Sequence, residues 1–66
     1  MPRSTREWAQ RECDAAVNNI EWAQKHMLKV VEVYLEDHPE IAGPLHDAVE
    51  ASDLVNQLIQ GVRGVI

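Results

Sequence analysis

The sequence predicts an all-α fold, a helical hairpin whose long first helix is partly covered by a shorter second one. Three observations predict it. Small and apolar residues keep a 4-3 spacing from residue 9 to residue 34. Proline signals at 39 and 44 then interrupt the pattern, and a second apolar stripe follows with polar residues on its opposite side.

The first helix is expected from about 4 to 37. Ser4-Thr5-Arg6-Glu7 fits a capping box, with Ser4 as N-cap and Glu7 reaching back to it. From there Ala9, Cys13, Ala16, Ile20, Ala23, Met27, Val30 and Tyr34 form an unbroken heptad seam, the pattern of a helix lying against another at a shallow angle. The segment Met27–Leu35 is the greasiest, with only Lys29 and Glu32 offering a wet side. Branched Val30, Val31 and Val33 would suit a strand, but strict alternation is absent and helical phase holds on both sides. Asn18-Asn19 offers a possible break. The seam crosses it in phase, and Glu-Trp-Ala-Gln recurs at 7–10 and 21–24, two heptads apart. One continuous helix therefore places Trp8 and Trp22 on the same side, on the flank of the seam.

His38-Pro39 ends that helix, because a residue before proline is pushed out of the helical region. Gly43-Pro44 repeats the signal, so a turn or short helical segment is expected over 38–43. A second helix follows at about 44–60, with a kinked helix starting at Pro39 as the alternative. Its stripe is Leu45, Ala48, Val49, Ser52, Val55, Ile59 and Val62, widened by Leu54 and Leu58. Gly61 suits a C-terminal cap, leaving 61–66 as a loosely held tail. A short connection makes the helices antiparallel neighbours, and the shorter second helix would leave the N-terminal half of helix one uncovered.

Length sharpens this. Sixty-six residues make one small domain, and chains of this size bury too little surface to be comfortable alone. Cys13 is the only cysteine, so neither an intramolecular disulfide nor a thiolate zinc cluster is available. Oligomerisation is the remaining source of burial. The expectation is a homodimer, as a four-helix bundle or a long-helix dimer. Its interface, with itself or with another protein, would draw on Trp8, Ala9, Cys13, Ala16, Ile20, Trp22, Met27, Val30, Tyr34, Leu54 and Leu58. Indole side chains are favoured interface anchors. Cys13 reads as a small packing residue on the seam.

Charge limits the function classes. Residues 1–35 carry five basic and five acidic side chains, whereas 36–66 carry six acidic ones against Arg63. Nucleic-acid binding normally depends on a concentrated basic patch, and none is present. No apolar run approaches the ~18 residues of a membrane span, and no secretory leader pattern opens the chain. A soluble protein of a reducing compartment is expected, most simply a bacterial or phage cytoplasm. His26, His38 and His46 are the candidates for metal or acid–base chemistry. They lack the converging spacing that zinc needs, although His46 and Glu50 stand four apart on one helical face. No phosphate loop and no nucleophile–base pair occurs, so neither catalytic residues nor a cofactor are expected.

In outline, a short acidic helical hairpin carrying Leu45-His46-Asp47 resembles the plasmid RNA-one modulator family. That resemblance implies a dimer whose first helices bind RNA through basic and aromatic side chains. Here the side bearing Trp8 and Trp22 has mixed charge. The reading favoured by the residues themselves is a non-enzymatic, cytoplasmic regulator or adaptor that binds another protein. The alternatives are an RNA modulator of that type and an acidic mimic of nucleic acid that inhibits a host protein.

Overall fold

The computed structural model describes residues 3–66, with the side chains from Ser4 onward. Two helices account for nearly all of it: α1, Arg3–Tyr34, and α2, Pro39–Val65. They pack antiparallel into a rod with extents of 53 × 15 × 10 Å. The expected hairpin is therefore the fold. Several boundaries move.

Helix α1 begins at Arg3, one residue before the expected cap Ser4, and ends at Tyr34 rather than 37. The Tyr34 carbonyl accepts the His38 N–H at 2.9 Å, closing the last turn while 35–37 reverse the chain. His38 is the N-cap of α2, and its carbonyl accepts the N–H groups of Ile41 and Ala42. Its own ring, edge-on to Tyr34 at 5.5 Å, sits 3.0 Å from a Glu40 carboxylate oxygen instead of capping the helix. Pro39 occupies the first turn, where a missing N–H costs nothing.

Helix α2 is the larger departure. It starts at Pro39, not Pro44, and runs through the expected turn at 38–43. Pro44 lies inside it, leaving the Glu40 carbonyl without its intrahelical donor. Both residues are exposed, so water can serve that carbonyl. Gly43 makes the sequence tolerable, since it lacks the Cβ that would crowd a following proline in helical geometry. The expected tail at 61–66 is also helical. Gly61 caps nothing, no glycine has positive φ, and Ile66 N–H still bonds the Val62 carbonyl. One bond to α1 holds this end, Arg63 Nε donating to Asp14 Oδ1 at 3.1 Å, and Ile66 remains half-buried.

The longer α2 covers far more of α1 than expected. Gln24 pairs with Ser52 and Asp14 with Arg63, so Val65 comes to the height of about Arg11. Only the first two turns of α1 overhang, about 12 Å at 1.5 Å per residue. The contact line on α1 is Gln10, Cys13, Val17, Ile20, Gln24, Met27 and Val31, and on α2 Ala42, Leu45, Val49, Ser52, Asn56 and Ile59. Both keep the alternating three-and-four spacing of shallow helix packing. Among the described residues only Val31 (6% exposed) and Ala42 are buried apolar ones. That is a very small core for two helices of this length.

Candidate interaction face

Three of the eight residues of the predicted seam lie on this contact line and five do not. Cys13, Ile20 and Met27 face α2, whereas Ala23, Val30 and Tyr34 are exposed and Ala9 and Ala16 sit at the margin. The line has shifted one residue onward, to Gln10, Val17, Gln24 and Val31. The cause is that the stripe is wide enough for two neighbours, and periodicity alone cannot say which neighbour belongs to the same chain.

The shift gives the hairpin two unlike edges. In antiparallel right-handed helices, the residues one step before each contact position fall on the same edge of the pair. On α1 the row nearest the contact is Ala9, Ala16, Ala23 and Val30, with Glu12, Asn19 and His26 next round; on α2 it is Ile41, Ala48, Val55 and Val62, with Pro44, Ala51 and Leu58 next round. Every residue of the two nearest rows is apolar. One step after each contact position lies the other edge, with Asp14, Glu21 and Leu28 nearest the contact on α1 and His46, Asp53 and Gln60 on α2; Arg11, Asn18, Lys25 and Glu32, and Gly43, Glu50, Gln57 and Gly64, lie further round. Leu28, 39% exposed, is the one large apolar residue there.

Polar ties between the helices close the second edge. Gln24 Nε2 donates to Ser52 Oγ at 2.8 Å and to Asp53 Oδ1 at 2.7 Å, and Ser52 Oγ donates in turn to the Val49 carbonyl at 2.7 Å. The Arg63–Asp14 pair continues that side. Sequence reasoning missed Gln24 because a glutamine carries no apolar signal. Nothing comparable crosses the apolar edge among the bonds described.

From the apolar edge the two helices diverge. On α2 the next row round is Ala51, Leu58 and Val65, with Leu54 beyond; Leu58 is 70% exposed and Leu54 62%. On α1 the next row is Glu12, Asn19, His26 and Val33. Trp8 and Trp22 stand further round still, on the back of α1, both largely exposed. Trp22 stacks on His26 with centroids 6.1 Å apart, and Lys25 Nζ lies 5.1 Å from its ring centroid. Of the expected interface residues, then, Trp8, Trp22, Val30, Tyr34, Leu54 and Leu58 are open to a partner, while Cys13, Ile20 and Met27 are engaged within the hairpin.

Two further features bear on chemistry. Asn56 is 7% exposed, on the contact line at the height of Ile20, and its Oδ1 has no hydrogen-bond donor. His46, Asp47 and Glu50 bring ligand atoms within 4.8 Å of one another, all on the exposed side of α2. His46 Nδ1 already lies 3.5 Å from Glu50 Oε1, and solvated sets of this kind are common on acidic helices. No helix among the described residues is long and apolar enough to cross a membrane.

No family model, curated protein or solved structure matches the chain.

Proposed function

We propose that this chain is a non-enzymatic, protein-binding regulator or adaptor that works as a homodimer. One observation carries the reading: an unbroken apolar edge spans both helices, opposite an edge closed by polar bonds. A core of two buried apolar residues cannot offset the chain entropy of some sixty ordered ones, so the edge needs a cover. A second copy is the simplest. A face of 53 by 15 Å offers roughly 800 Å² per subunit, the size of a standard stable interface. Stacking two hairpins on these edges makes a four-helix bundle and leaves the backs of α1, with Trp8 and Trp22, for a different protein. Such exposed indoles are the kind of side chain that anchors an interface.

Sedimentation at micromolar concentration tests the first step, with twice the 7.5 kDa chain mass expected. Capture of a target by the native dimer, lost in a Trp8→Ala/Trp22→Ala variant that still dimerises, tests the second. In this reading the apolar edge serves the copy and the back of α1 serves the client.

A second reading has one observation in its favour. Along the back of α1, Arg11, Lys25, His26 and Lys29 accompany Trp22, a combination that also suits stacking and phosphate contacts to RNA. Retention of RNA that weakens steeply with added salt would support it.

A further inference from the structure

We infer that the two hairpins pair head to tail, each α2 lying against α2 of the other copy about a two-fold axis near Leu54, and each α1 against α1. This rests on the homodimer proposed above and settles which helices meet.

Two ways of joining the apolar edges are possible. A two-fold along the rod sets α1 on the partner's α2 and keeps residues at equal height. Gln24 pairs with Ser52, so that arrangement brings Leu58 beside the partner's Asn18 and Asn19, and Val65 beside the partner's Glu12. The most exposed apolar row of α2 would then meet amides and a carboxylate. A two-fold across the rod sets like on like. The row of Ala51, Leu58 and Val65 meets its own copy, and Leu54, midway between Ile41 and Val65, lies next to the axis. On α1 the small residues Ala16 and Ala23 let the backbones approach, and Asn19 comes level with His26 of the partner subunit.

The overhang points the same way. Antiparallel pairing of the rods carries the first two turns of α1 alongside the partner's turn, where Leu35 is exposed. Parallel pairing leaves both overhangs at one end, with no turn beside them. Charge argues for the rejected arrangement, since α2 has four acidic residues against Arg63 whereas α1 is balanced. Those carboxylates lie mostly on the solvated side, where ion pairs contribute little, while apolar burial grows with area. The apolar match decides.

The experiment uses the full chain with Cys13→Ser and a short bismaleimide cross-linker, after sedimentation has established the dimer. Leu54→Cys alone is expected to shift on a denaturing gel from the chain mass to the dimer mass. A mixture of Trp22→Cys and Leu54→Cys chains should add no mixed product. Efficient Trp22–Leu54 cross-linking, or a dimer in which Leu54→Cys fails to link to itself, overturns this pairing and leaves the homodimer standing. A monomer in sedimentation overturns both.

Discussion

Asn56 and Gln24 both put an amide into the helix contact, with opposite consequences. Gln24 is matched to its surroundings, and its donor reaches Ser52 and the charged Asp53. Gln24→Ala should therefore lower stability by about 1 kcal/mol, the net worth of such bonds, read as a lower denaturation midpoint. Asn56 is buried with its acceptor unpaired, a condition that costs about 1–3 kcal/mol. Replacing it by leucine, close in volume, should raise the midpoint by a similar amount. A lower midpoint for Asn56→Leu would mean that the acceptor finds a donor in the assembled protein. Neither amide was legible in the sequence. Both occupy positions that a hydrophobic pattern assigns to apolar residues, and only the register of the two helices identifies their neighbours.

The helices themselves were legible in number, order and direction, because heptad spacing and the His38-Pro39 signal are local properties of the chain. Their ends were not. Gly61 reads as a cap and Gly43-Pro44 as a turn, yet α2 continues through both since tertiary contact outweighs local propensity. Beyond Gly61, Arg63 reaches Asp14 on α1 and Ile66 stays half-buried, and the helix is drawn on to place them. Gly61→Ala separates the two views. Its φ is not positive and a Cβ there would meet nothing within 4 Å, so the substitution should stabilise by about 1 kcal/mol, the helix-interior difference between the residues. A loss of stability in thermal melting would instead place Gly61 at a helix end. The same logic explains Val30 and Val31. The predicted seam ran through Val30, but Val31 is the one enclosed by α2, and a turn of one residue moved half of the seam to the outer edge.

For the molecule as a whole, that outer edge is the central fact. A hairpin with two buried apolar residues and a continuous apolar flank leaves that flank uncovered, which is the ground for the proposed second copy. Val55 tests this without disturbing the hairpin, because it is exposed on the edge and makes no contribution to the contact line. Val55→Asp should raise the dimer dissociation constant at least ~100-fold, or about 3 kcal/mol, through a charge buried without a partner. If the hairpin depends on its copy for stability, the variant's helicity should fall on dilution.

The most direct measurement is sedimentation equilibrium of the unmodified chain from low to high micromolar concentration. The proposed assembly predicts a mass twice the 7.5 kDa of one chain, with helicity lost as dilution separates the subunits. A fully helical, cooperatively melting monomer across that range would contradict it.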